Sequence, residues 1–243
     1  MKSFIAEMRE TIFPGSGGKD GPLPPLLVGL TFVTGVVDAF SYLVLGHVFV
    51  ANMTGNVVFV GFALAGAAGF SVAASVTALA SFWVGALLGG RISRQLAARR
   101  GRLLGRSTAT QVALVAVAVV LGAISSLPIP TGTRYALIAV LAVAMGVQNA
   151  AARAIALPDL TTTVLTLTMT GIAADSGLAG GPGSRAGRRL VAVIAMFLGA
   201  LAGAACVLHV HAVIALVIAL VVLVAIGATT IVLVRSEPAW AAG

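Results

Sequence analysis

Asp38 is the residue of this chain whose type and position point most directly to chemistry. It is the only acidic residue in the first three apolar segments and falls inside the first of them. A carboxylate in the hydrocarbon costs roughly 2.5–3.5 kcal/mol on insertion scales, so it normally faces a cavity or a polar partner. We expect Asp38 to couple a proton or cation, or to contact a substrate. A neutral or paired structural carboxylate is the alternative.

Two clusters of small polar residues interrupt apolar sequence, and both are candidates for broken helices. They are Asn52, Thr54, Gly55 and Asn56 in the first half, and Thr166, Thr168, Thr170 and Gly171 in the second. A glycine permits a break, and nearby polar side chains can bond the backbone groups that the break frees. Free N–H groups at such a helix start would favour an anion or a substrate carboxylate. Helix packing through small polar residues explains the same clusters equally well.

Other kinds of functional site find little support in the sequence. No nucleophile–base pair and no H-E-x-x-H pattern occurs, so we expect no enzymatic activity and no cofactor. The single Cys206 excludes disulfides and thiolate metal clusters within one chain. His209 and His211 have i, i+2 spacing, which points apart on a helix, so they are expected to be interfacial, like His47, and to bind no metal.

The composition is that of a helical membrane protein. Of the 243 residues, 59% are hydrophobic and only 9% are charged, whereas a soluble domain carries about 25% charged residues. From residue 190 to residue 234 there is no Asp, Glu, Lys or Arg. Period-two alternation is absent, so helices are favoured over a closed barrel. The net charge of +8 comes from arginines at the ends of apolar runs, as in the positive-inside rule, and does not indicate nucleic-acid binding.

Eight apolar segments can be drawn, and whether all of them cross decides the topology. They are 26–46, 48–66, 72–91, 109–127, 133–155, 160–178, 190–208 and 212–234. The basic loop at 91–106 and the basic turn at 185–189 should both be cytoplasmic. Eight crossings would put them on opposite sides. We therefore favour six crossings, with 48–66 and 160–178 re-entrant, although both are long enough to span.

The two halves of the chain resemble each other. GVVDA at 35–39 matches GVQNA at 146–150, and the Met-Thr-Gly of the first polar cluster recurs in the second. LAG also recurs, and VGALLGG at 84–90 matches LGALAGA at 198–204. The four matches have offsets of 111 to 116 residues and keep the same order. With three crossings per copy the repeats are inverted, an architecture of many transporters; with four crossings they are parallel.

The repeat assigns positions for packing and for a substrate path. Small residues spaced four apart let helices approach closely, and the predicted packing glycines are Gly85, Gly89, Gly199 and Gly203. Asn149 is the counterpart of Asp38, and Gln148 lies beside it. We predict that a substrate or ion path is lined by Asp38, Asn52, Thr54, Asn56, Gln148, Asn149 and Thr170.

The segment from residue 30 to residue 66 resembles the YoaK-like family of bacterial membrane proteins, a domain of unknown function. Its pattern G-x-x-D-A followed by F-x-x-x-x-T-G-N falls on Gly35, Asp38, Ala39, Phe49, Thr54, Gly55 and Asn56. M-G-x-Q-N-A at 145–150 and the R-R before an apolar helix with G-A-x-x-G also resemble the family. The resemblance implies a bacterial inner-membrane location and brings no activity with it.

The sequence predicts an all-α polytopic bundle built from two repeats. We divide it into a cytoplasmic tail and linker (1–23), repeat 1 (24–127), repeat 2 (128–235) and a short C-terminal tail (236–243). Residues 4–12 fit either a short amphipathic helix or a loose tail. The leading functional hypothesis is a small-solute transporter or channel. Its expected partners are the bilayer and a small molecule or ion, with a second copy of the chain as a further candidate. The alternative is a non-transporting assembly or partner protein.

Overall fold

The computed structural model describes residues 4–15, 20–96, 99–125, 128–160, 162, 165–181 and 185–235. Within these ranges the chain is helical and contains no strand, which confirms the all-α fold class. The α-helices are α1 (Phe4–Ile12), α2 (Leu23–Val44), α3 (Met53–Leu64), α4 (Val72–Gln95), α5 (Arg100–Ala123), α6 (Thr131–Ile155), α7 (Leu165–Ala174), α8 (Ala186–His209) and α9 (Ala212–Arg235).

Six of these helices are long and apolar enough to cross a membrane, namely α2, α4, α5, α6, α8 and α9. They contain 22 to 25 residues, or about 33–38 Å at 1.5 Å per residue. The apolar helices α3 and α7 have only 12 and 10 residues, too few for a hydrocarbon core of about 30 Å. In the described part of the chain, six long helices and two short ones at the two expected places confirm the favoured prediction over eight long ones.

Glycines bring the helices into two close, parallel contacts. A Cβ on Gly85 would collide with the carbonyl oxygen of Val143, and one on Gly89 would press on Val147. Residue numbers therefore rise together along α4 and α6. The contact of α8 with α2 has the same form, because Gly199 meets Phe32 and Gly203 meets Val36. All four packing glycines lie where two backbones approach each other.

The third helix pair, α5 and α9, runs antiparallel. Gly105 lies next to Thr230, whereas Gly122 lies next to Val213 at the other end of the pair. α2 and α6 are the most deeply buried of the long helices, and each has 61% of its most apolar window inside the bundle. The polar side chains on the buried faces of these two helices therefore contact other parts of the protein rather than lipid.

Both arginine-rich regions lie at one face of the bundle, which we call the basic face. Arg100 at the start of α5 contacts Asp20, before α2, and the carbonyl oxygen of Ile155 at the end of α6. Asp20 shares a pocket with Arg185 and Arg188 of the α8 region. The opposite face carries His47, whose neighbouring Gly46 approaches Arg134. The arrangement agrees with six crossings.

The predicted basic loop at 91–106 and basic turn at 185–189 are largely helical. α4 continues to Gln95, α5 begins at Arg100, and α8 begins at Ala186. The prediction of loops was wrong because charged residues were taken to end a span, whereas long arginine side chains can reach the interface from within a helix. Residues 4–12 form a helix, α1, whose Glu7 accepts a hydrogen bond from the backbone N–H of Gly187.

Candidate functional site

The first polar cluster begins with a turn that sends the chain back into the bundle. α2 ends at Val44, and Gly46 and His47 follow with φ values of +94° and +54°. Glycine adopts such positive φ angles at little cost. The next residues return along α2 as far as Asp38, which is six residues before the end of that helix, or about 9 Å deep. α3 then leads away from this point, so the segment is re-entrant in form.

Asp38 fixes the inner end of this re-entrant segment. Its Oδ1 accepts hydrogen bonds from the backbone N–H groups of Val50 (3.0 Å) and Ala51 (2.9 Å). Its Oδ2 accepts a third bond from the side-chain amide of Asn52. Asp38 is 4% exposed. Backbone groups of a non-helical segment need partners away from water, and a carboxylate gives them strong charge-assisted bonds.

Asn56 closes the same segment from the other side. Its Oδ1 accepts from the N–H of Phe49 (2.9 Å), and its Nδ2 donates to the carbonyl oxygen of Phe49 (2.6 Å). Asn56 is fully buried. Gly55 makes room for the Phe49 ring, since a Cβ there would collide with it. Thr54, the second residue of α3, is exposed and takes no part in this closure.

Aromatic rings cover the outer side of the segment. Phe49 stacks on Tyr42 with ring centroids 5.1 Å apart, and Phe59 of α3 lies 5.6 Å from Phe49. His47 is 5.0 Å from Tyr42 and its Nδ1 lies 2.9 Å from the carbonyl oxygen of Gly69. These rings separate Asp38 from the membrane face opposite the basic face.

Gln148 joins α6 to α2 one turn away from Asp38. Its Nε2 donates to Thr34 Oγ1 (2.8 Å) and approaches the carbonyl oxygen of Leu30 (3.3 Å). Gln148 is fully buried, and its Oε1 has no hydrogen-bond partner within the described part of the chain. This contact places polar groups of the two halves together, although Gln148 does not bond Asp38.

The second re-entrant region is held by charge. Arg189 of α8 donates from Nε to Asp159 and from Nη1 to Asp175, both at 2.7 Å. These two acids stand before and directly after α7. Gly171 leaves the space that the guanidinium of Arg189 occupies. Thr170 is exposed in the middle of α7, so it is not the helix start that the sequence suggested.

Asn149 lines a cavity of about 760 Å³ toward the basic face. The cavity lies against α4 and the last turns of α6, where Phe82, Ser93 and Arg153 also contribute to its wall. Asn149 stands six residues before the end of α6, as Asp38 does in α2. Its Nδ2 donates to the carbonyl oxygen of Met145. The cavity contains both amide and guanidinium groups and is of a size for a small solute.

The structure therefore brings together some of the predicted path residues and separates others. Asp38 and Asn52 bond each other, and Asn56 closes the same segment. Gln148 sits at the α2–α6 contact, whereas Asn149 lines its own cavity and Thr54 and Thr170 are exposed. Within the described residues no group of three His, Cys, Asp or Glu side chains is placed to hold a metal ion.

Comparison with known proteins identifies the family. The family described as "Protein of unknown function (DUF1275)" matches residues 26–229, which is most of the chain. The chain belongs to this family. It is also 34% identical over 151 residues to the UPF0700 transmembrane protein YoaK of Bacillus subtilis (strain 168), across 62% of this chain and 65% of that relative. No solved structure matches the chain. The family assignment supports a multi-pass transmembrane protein.

Two sets of polar residues were not singled out by the sequence patterns, although the structure brings the members of each set together. One is the Asp159–Arg189–Asp175 cluster, whose members are 14 to 30 residues apart in the chain. The other is a buried row on α5, formed by Ser107, Thr108 and Gln111. The spacing S-T-x-x-Q inside an apolar segment was the available signal for that row, because a polar stripe at helical spacing indicates one shared face.

Proposed function

We propose that the protein is a small-solute transporter or channel of the bacterial inner membrane, with a polar path near Asp38 and the two Thr-Gly segments. The observation that carries this proposal is the presence of two short apolar helices among six long ones, with one re-entrant segment held by a buried carboxylate. Discontinuous helices with polar side chains near the midplane are typical of substrate and ion sites in transporters.

The internal repeat supports the same proposal. The close α2–α8 contact joins the first helix of one proposed repeat to the second long helix of the other, and the α6–α4 contact does the reverse. Gly35 and Gly146 occupy matching places, against the backbones of Met196 and Phe82 respectively. We propose that 24–127 and 128–235 are inverted repeats. α3 then approaches from the face opposite the basic face, and α7 from the basic face.

In this proposal the segment at 45–52 acts as a gate. While it bonds Asp38, no solute can reach the carboxylate from the His47 side. When it moves away, two backbone N–H groups and the carboxylate become available to a solute, a proton or a cation. The cavity at Asn149 and Arg153 provides the approach from the basic face, which the positive-inside rule makes cytoplasmic. The proposal contains no enzymatic step and needs no cofactor.

The test is flux through protein reconstituted in liposomes. Protons are followed with an entrapped pH-sensitive dye, and glycerol, urea and alanine by light scattering after an osmotic step. We expect flux of at least one probe above that of protein-free vesicles, and at least a tenfold loss in Asp38→Asn with unchanged amounts of folded protein. The matched control is Asp20→Asn, which makes the same chemical change outside the long helices and should keep at least half of the flux.

Flux in Asp38→Asn equal to that of the unaltered protein would show that Asp38 is not part of a path. Vesicles that pass none of the four probes faster than protein-free vesicles would reject the proposal as stated.

One observation favours a second candidate function, a non-transporting assembly or partner protein. Both carboxylate oxygens of Asp38 are occupied by bonds within the chain, and the residue is nearly inaccessible. Asp38→Leu should lower the yield of folded protein under either function. If these bonds only hold the structure, however, no probe should cross the vesicles even with the unaltered protein. A partner, which can be a second copy of the chain, would then be recovered by cross-linking in intact membranes.

A further inference from the structure

A second cleft, unrelated to the re-entrant segments, lies at the basic face between α5 and α9. Its volume is about 630 Å³. Four arginines line it, namely Arg99, Arg102, Arg106 and Arg235, and the described residues place no acidic side chain in its wall. We call it the arginine cleft, and we propose that it binds the phosphate headgroup of an anionic phospholipid.

Two of the arginines converge because of their spacing on α5. Arg102 and Arg106 are four residues apart, which places them on one face of the helix, and Arg99 lies directly before the first residue of α5. Arg235, the last residue of α9, closes the other end of the cleft. Arg100 points elsewhere and bonds Asp20 and the carbonyl oxygen of Ile155. Like charges repel one another, so an anion that lies among the four would lower the energy of the group.

The floor of the cleft is apolar, and this favours a lipid over a free anion. Gly101, Gly105 and Ala109 of α5 leave a shallow channel, and Ile231 and Val234 of α9 form its other wall. Ile231 is 53% exposed. An acyl chain would cover this surface while the phosphate meets the arginines. Basic pockets between transmembrane helices on the cytoplasmic side are places where anionic headgroups bind.

The experiment measures lipid binding to the full-length protein purified in detergent. Native mass spectrometry follows phosphatidylglycerol, phosphatidylcholine and glycerol 3-phosphate, with thermal unfolding as a second readout. We expect phosphatidylglycerol to bind and to raise the Tm, and phosphatidylcholine to bind about tenfold more weakly or worse. Glycerol 3-phosphate has no acyl chains and should bind much more weakly than phosphatidylglycerol.

The decisive variant is Arg102→Gln combined with Arg106→Gln, which should weaken phosphatidylglycerol binding by about tenfold or more. Arg91→Gln with Arg94→Gln removes the same charge from the end of α4, outside the cleft, and should change binding by less than about twofold. A third variant, Ala109→Phe, fills the apolar channel without changing charge. It should weaken the binding of phosphatidylglycerol while leaving that of glycerol 3-phosphate unchanged.

Equal losses in the two double variants would show general attraction to a basic surface and would overturn the proposal of a defined site. Binding of glycerol 3-phosphate as strong as that of phosphatidylglycerol would identify a free-phosphate site instead. Unchanged lipid binding in Ala109→Phe would show that no acyl chain lies in the channel. Each variant is checked for a single folded species by size-exclusion chromatography.

Discussion

The two re-entrant regions are held in place by different kinds of bond. The first is held by the buried carboxylate of Asp38, which bonds backbone N–H groups, and by the amide of Asn56. The second is held by a guanidinium, since Arg189 bridges the acids on both sides of α7. Asp38 binds backbone groups of the chain that leads into α3, whereas the bonds of Arg189 in the described part of the chain go to the side chains of the two acids.

This difference affects how strongly each region is stabilised. Backbone donors buried away from water become costly when their acceptor is lost, so the first region should depend strongly on Asp38. Asp175 is 44% exposed, and solvent-exposed ion pairs contribute little to stability. The closed state of the first region should therefore be held more strongly and open more rarely, and the second region should respond more to salt.

The largest effect is expected from Asp38→Leu. This change leaves the N–H groups of Val50 and Ala51 and the amide of Asn52 without their acceptor, at about 1–3 kcal/mol each. We expect a loss of at least about 3 kcal/mol of stability, measured as a lower Tm and a lower yield of folded protein in detergent. Asp38→Asn keeps a side-chain oxygen that can accept and should cost clearly less. Similar Tm values for the unaltered protein and Asp38→Leu would contradict the assigned bonds.

A smaller effect is expected from Arg189→Met. Among the cations that the structure describes, the change leaves Asp159, which is 12% exposed, with only the exposed guanidinium of Arg185 at 3.9 Å. Breaking a partly buried pair in this way should cost about 2–3 kcal/mol. Hydrogen exchange should rise in α7 and stay unchanged in α3.

The matched control is Asp175→Ala, which removes the exposed partner of the same arginine and should cost no more than about 1 kcal/mol. Equal destabilisation by the two changes would mean that Asp159 contributes nothing to the cluster. Raised exchange in both α3 and α7 of Arg189→Met would show that the two regions are not held independently.

The sequence was sufficient to predict the helical fold, the number of long helices and the two short ones. The decisive signal for the short helices was the position of arginine clusters, because segment length alone allowed eight crossings. The same signal misplaced helix ends: α5 begins at Arg100, although the apolar pattern predicted 109. Arginines at the ends of spans do not stop a helix when their side chains can reach the interface.

The candidate site was predictable only in part. Asp38 stood out because a lone acid in an apolar segment needs a partner. One of its partners, Asn52, was among the predicted path residues, but the other two are backbone N–H groups of residues 50 and 51, which no side-chain pattern reveals. The cluster around Arg189 was missed for a related reason. Asp159 lies just before the predicted segment 160–178 and Asp175 near the end of it, where a charge is ordinary. Only the fold of α7 against α8 brings the two acids to one guanidinium.

The central claim is that both basic regions lie on one side of the membrane, with α3 and α7 not crossing it. Its most direct test is labelling of Arg102→Cys, Arg185→Cys and His211→Cys, each in a Cys206→Ala background, with a membrane-impermeant maleimide. The account predicts that residues 102 and 185 react only in inside-out vesicles and residue 211 only in intact spheroplasts. Reaction of residues 102 and 185 from opposite sides would contradict it.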